Sequence, residues 1–169
     1  MNTSHEVRGG TALVLLTCLM FALGPIAVDL SLPGLPAIQQ AIGSATEHVE
    51  LTLTAVLLGM AVGQFLIGAV ADAYGRKIPL ILSLAVFTAA SLACAMSHGL
   101  TMLALARFVQ ALGLGVAVVM ARSVVADAFE GRAVARVYST AVMATGVATV
   151  LAPLAGGRLL AAYGWPVLF

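Results

Sequence analysis

Of the 169 residues, 62% are hydrophobic and only 9% are charged, against roughly 25% charged in a soluble domain. So little polar surface cannot keep a single core dissolved, which excludes a water-soluble fold and makes lipid the solvent. The net charge of +1 comes from eight Lys and Arg scattered between apolar runs with no basic tract, so nothing points to nucleic acid as a partner.

Taken in chain order, the first apolar segment covers residues 11–37 and is predicted to continue as helix through Pro25, Pro33 and Pro36. Prolines are tolerated in membrane helices where neighbours re-satisfy the freed carbonyls. A cleaved signal peptide competes for this segment, but the apolar stretch exceeds a typical signal core and only Arg8 supplies a basic leader. Further segments follow at 51–71, 78–96, 100–126 and 137–162. Each holds the roughly 20 residues that span about 30 Å of hydrocarbon, so the expected class is all-α, a polytopic membrane protein with five transmembrane helices.

The connections set the orientation. Arg8 precedes the first span, Arg76 and Lys77 join the second to the third, and Arg122, Arg132 and Arg136 flank the link between the fourth and fifth. The opposite connections, 38–50 and 97–99, contain no Lys or Arg, so the positive-inside rule puts the N-terminus and the polar turn at 68–77 in the cytoplasm. The chain closes on Gly164-Trp165-Pro166-Val167-Leu168-Phe169, which reads as an interfacial anchor followed by the start of a sixth span, and so as a fragment or truncated product of a longer protein. Cys18 and Cys94 fall inside apolar runs, where sulfur packs as a small hydrophobe. His5, His48 and His98 are isolated, with no metal-ligand spacing, so no metal is expected.

Ionisable groups at bilayer depth cost several kcal/mol and mark function. Asp29 lies eight residues, or ~12 Å, below the predicted outer end of the first span, and Arg107 about seven residues, or ~10 Å, below that of the fourth. Matched depth predicts that the two charges share one polar cavity, with Gln110 on the same helix face as Arg107. The bland alternative is a buried ion pair that only fixes packing. Small residues such as Gly59 and Gly63, or Gly113 and Ala117, predict close helix approach, and Pro153 with Gly156 and Gly157 predicts a bendable, tightly packed stretch in the fifth span.

These residues carry a family resemblance. Gly68, Asp72, Gly75, Arg76 and Lys77 stand at the spacing of the signature between helices two and three of the major facilitator superfamily. Asp29, Pro33 and Pro36 resemble the helix-one pattern of drug:proton antiporters, especially the Bcr/CflA group, with Ser31 where an aromatic is common. Arg107 with Gln110 resembles the helix-four motif, with Ala111 in place of its usual glycine. Ala152, Pro153, Gly156 and Gly157 are similar to the helix-five antiporter motif, Ala152 replacing a commoner glycine.

The resemblance implies helices one to five of a twelve-helix fold, so that residues 1–169 form part of the N-terminal six-helix half, with the sixth helix and the C-terminal half outside the sequence. It implies efflux of hydrophobic or amphipathic drug-like molecules across a bacterial cytoplasmic (inner) membrane, driven by the proton gradient with no cofactor. The partners implied are the lipid bilayer, the substrate, protons and the missing C-terminal half. Asp29, Arg107 and Gln110 would bind substrate and couple it to protons. The 68–77 turn would gate the cytoplasmic side, Asp72 contacting the second half and Arg76 pairing with Asp127. The same motifs would serve an exporter of a sugar or purine, and a non-transporting truncated remnant is the third reading. An enzyme is not expected, because no paired intramembrane aspartates, Ser/His pair or metal-binding acidic cluster is present.

Overall fold

The computed structural model describes residues 3–43 and 46–169; the side chains of residues 3–9, 46–48 and 68–74 lie outside the described part. Helices α1 (Thr3–Asp29), α2 (Leu35–Ile42), α3 (Thr46–Tyr74), α4 (Lys77–Ala95), α5 (Leu100–Ala128) and α6 (Arg132–Tyr163) follow one another, and among the described residues there is no strand. Short 3-10 turns occupy Leu32–Gly34 and Trp165–Leu168. Among the described residues, five segments are long and apolar enough to cross a membrane, the first running from Gly10 to Ile42 across the α1–α2 break.

Helix α1 does not continue to residue 37 as the composition predicts. It stops at Asp29 because a proline at 33 has no N–H for the Asp29 carbonyl and its ring crowds that same carbonyl. The chain then turns through Ser31 N–H to Val28 O at 3.2 Å and Gly34 N–H to Ser31 O at 3.0 Å before α2 resumes. Pro25, by contrast, is carried inside α1. The second correction concerns the polar turn. The backbone stays helical through Tyr74, and only Gly75 and Arg76 separate α3 from α4. Gly75 has φ of +69°, a left-handed value that glycine reaches without a Cβ penalty.

Helix α5 is the centre of the bundle. Helices α3 and α4 pack along it, α1 touches it, and α6 packs on α1, giving a row in the order α3, α5, α1, α6 with α4 behind α5. Small residues permit this. A Cβ on Gly59 would stand 2.2 Å from the Phe108 carbonyl oxygen, and one on Gly63 would stand 2.3 Å from that of Leu112. Ala117 and Met120 are fully buried. Large apolar side chains such as Leu57, Phe65, Met143 and Val150 remain exposed on the outer faces, a distribution that suits lipid and not water.

Candidate functional site

Arg107 is buried, at 1% exposure, on the face of α5 that meets α1. Its Nη1 donates to the Ala27 carbonyl at 2.8 Å and to Gln110 Oε1 at 3.3 Å, and its Nη2 donates to Ser31 Oγ. The Ser31 hydroxyl in turn donates to Val28 O at 2.8 Å. Gln110 passes the network to α4, its Nε2 donating to Ser91 Oγ at 2.7 Å. The Phe169 ring covers the guanidinium, whose carbon lies 4.5 Å from the ring centroid. Ser91 and Phe169 also line a cleft of about 390 Å³ between α4 and the C-terminal turn. Among the described residues, Arg107 Nε is the one buried side-chain nitrogen or oxygen without a hydrogen-bond partner.

A guanidinium withdrawn from water is costly. Hydrogen bonds to a charged group, at about 1.5–3 kcal/mol each, and a desolvated cation–π contact of about 2 kcal/mol offset that cost. Arg107 therefore ties three segments together: the α1 break, α5 and α4.

Asp29 is not part of that network. Among the described residues it makes no ion pair within 4 Å, with Arg107 or any other base. The two charges therefore form no direct pair. The guanidinium is engaged by the Ala27 carbonyl and the Ser31 hydroxyl, on either side of Asp29 in sequence, and not by the Asp29 carboxylate. Asp29 instead continues the face of α1 that carries Leu15, Leu19 and Ile26, all exposed, and is itself half-buried.

The helix-five motif touches the same break. A Cβ on Gly156 would stand 2.1 Å from the Leu30 carbonyl oxygen, so α6 runs directly against the residue that follows Asp29. Ala152 is buried one turn earlier, and Pro153 lies inside α6. Gly157 faces open space. Pro33 therefore ends α1, Arg107 holds the turn from one side, and Gly156 admits it from the other.

At the far end of the bundle Arg76 Nε donates to Asp127 Oδ2 at 3.0 Å, both side chains partly exposed. The pairing expected between the α3–α4 turn and the end of α5 is thus present. Gly68 and Asp72 belong to α3, but their side chains lie outside the described residues; Lys77 opens α4 and is exposed. Sequence reasoning missed Ser91 and Phe169 as partners of the buried cluster, and saw Ser31 only as a departure from a pattern. A serine within an apolar span was the available signal for Ser91.

The Major Facilitator Superfamily profile matches residues 15–169. The chain is 38% identical over 149 residues to the uncharacterized MFS-type transporter YdgK of Bacillus subtilis, covering 88% of this chain and 37% of that protein. It is 33% identical over 159 residues to the multidrug resistance protein MdtL of Klebsiella pneumoniae, covering 94% and 41%, and 32% identical over 145 residues to MdtL of a Shewanella species, covering 86% and 37%. The chain spans about two fifths of the length of these relatives. With four of its motifs assembled around one helix break and one interhelical turn, this multi-pass membrane chain belongs to the major facilitator superfamily, a family of transporters and not of enzymes.

Proposed function

We propose that this chain forms part of the N-terminal half of a proton-coupled antiporter of the Bcr/CflA group, exporting hydrophobic or amphipathic drug-like molecules across a bacterial inner membrane. The observation that carries this is a carboxylate, Asp29, half-buried at a helix break in a membrane-spanning segment, without a basic partner among the described residues. The names of the multidrug relatives support the substrate class.

In this reading Asp29 alternates between binding a proton from outside and releasing it when substrate enters from inside. Arg107 acts as a clamp, not as the counter-charge of Asp29: its bonds to Ala27 O and Ser31 Oγ hold the turn that presents the carboxylate. The N-terminus is cytoplasmic, which places the Arg76–Asp127 contact and Asp72 at the inner gate, where a small bias suffices to shift a two-state population. One charge crossing 100 mV supplies ~2.3 kcal/mol, enough for roughly fifty-fold accumulation at about 1.4 kcal/mol per decade. The test uses the full-length gene product in proteoliposomes, with substrate transport measured under an imposed proton gradient. Asp29→Asn should abolish the gradient-driven component while leaving energy-independent substrate exchange. Unchanged gradient-driven transport by that variant removes Asp29 from the mechanism.

A further inference from the structure

Six residues before α5 ends at Ala128 and six residues after α6 begins at Arg132, three spans meet in a second cluster. The Arg122 guanidinium carbon lies 5.4 Å from the Phe21 ring centroid. The Phe21 and Tyr138 rings lie 6.3 Å apart at 40°, and the Tyr138 hydroxyl donates to the Arg122 carbonyl at 3.0 Å. Phe21 and Tyr138 are half-buried, while Arg122 is exposed. Among the described residues Arg122 has no ion-pair partner, and Asp127, the acid five residues on, pairs with Arg76.

Three properties of this cluster point the same way. The phenolic proton of Tyr138 is committed to backbone, so the two rings present an apolar wall and no free hydroxyl donor. The guanidinium is held over Phe21 instead of extending the ~9 Å to the end of its helix, as a side chain reaching only for the aqueous surface would. Its planar fork of five donors remains available for an acceptor. We propose that Phe21, Arg122 and Tyr138 form a docking site for a small aromatic anion, an arene carboxylate whose ring packs against the Phe21–Tyr138 wall while its carboxylate meets Arg122. This deepens the efflux reading and rests on it for the idea of a small amphipathic substrate. It assigns the site a charge preference that Asp29 and Arg107 do not supply.

The test is equilibrium binding of 1-naphthoate and of 1-naphthylmethylammonium to the purified full-length gene product in nanodiscs, prepared once from zwitterionic and once from anionic lipid. Wild type should bind naphthoate in zwitterionic nanodiscs. Arg122→Gln should weaken that binding by about tenfold, a loss of about 1.4 kcal/mol, with binding of the ammonium probe unchanged or tighter. Arg122→Lys should recover only part, because an ammonium lacks the planar fork, and Phe21→Leu should weaken both probes. Size-exclusion profiles matching wild type establish that the variants are folded. Equal naphthoate affinity in wild type and Arg122→Gln overturns the proposal, as does absence of naphthoate binding by wild type. An Arg122→Gln effect confined to retention of anionic lipid overturns it in favour of a headgroup contact. Naphthoate binding with the predicted variant pattern, but no proton-driven transport, defeats the efflux reading and leaves the docking site standing.

Discussion

Adding one methyl group at residue 156 is expected to be far more damaging than adding it at residue 157, although the two glycines are adjacent and both are helical. At Gly156 the new Cβ would stand 2.1 Å from the Leu30 carbonyl oxygen and 3.0 Å from its carbon, so α6 and the α1 break must part by about 1.3 Å to reach ordinary contact at 3.4 Å. The obstacle is backbone, pinned by Pro33 and by Arg107, and cannot rotate away. Overpacking of this kind costs about 1–3 kcal/mol. At Gly157 a Cβ meets nothing within 4 Å. Both substitutions gain about 1 kcal/mol of helix propensity, so that term cancels from their difference. Gly156→Ala should therefore unfold below Gly157→Ala by about 2–4 °C for each kcal/mol of overpacking. Cys94, fully buried in α4, provides the readout through a thiol-reactive dye during a thermal ramp in detergent. Equal midpoints for the two variants, or a lower one for Gly157→Ala, would refute the close approach of α6 to Leu30.

Two smaller effects follow from the hydrogen-bond geometry. Neutralising Asp127 to Asn should cost under about 1 kcal/mol, as for other exposed ion pairs, and the loss should shrink in high salt; the exchanged pair Arg76→Asp with Asp127→Arg should restore the wild-type midpoint, and failure of that rescue would leave the two residues serving topology alone. Ser91→Ala should destabilise by about 1–3 kcal/mol because Gln110 Nε2 is left buried without its acceptor. Ser83→Ala is its control, since that hydroxyl bonds only the Leu80 carbonyl of its own helix; similar losses in thermal unfolding at both positions would argue against the network.

The spans were legible in the sequence because an uninterrupted apolar run is set by lipid thickness. Residues 100–126 and 78–96 became α5 and α4 with ends moved by two residues or fewer. The ends of 51–71 were not legible. The helix runs from Thr46 to Tyr74, since helical backbone propagates past the hydrocarbon edge into polar residues that no hydropathy pattern marks. The α1 break was written in Pro33 but outweighed by the continuity of the apolar run. Arg76 and Asp127 were paired correctly because topology alone brings the α3–α4 turn to the end of α5. A direct pair of Asp29 with Arg107 is absent, and residue counts, which fix position along a helix and leave the facing free, could not have told. Facing depends on which neighbour each stripe packs against. For the same reason the contacts of Ser91, Phe169 and the Phe21–Arg122–Tyr138 cluster emerge only once α4, α1 and α6 are placed around α5.

On the proposed mechanism, an Asp29 without a basic partner also bears on what charge the transported molecule carries. A carboxylate with its own arginine beside it would be neutral as a pair, and substrate charge would matter little. With the guanidinium engaged by Ala27 O, Ser31 Oγ and Gln110, Asp29 has no basic partner among the described residues, and on the proposed mechanism a proton or a cation would compensate it. An organic cation exported against one proton moves no net charge and is driven by the pH difference alone. An aromatic anion taken at Arg122 and exported against the same proton moves two charges, worth about 4.6 kcal/mol per 100 mV at ~2.3 kcal/mol each. On these proposals the arginine with no acid of its own would decide which component of the proton gradient does the work.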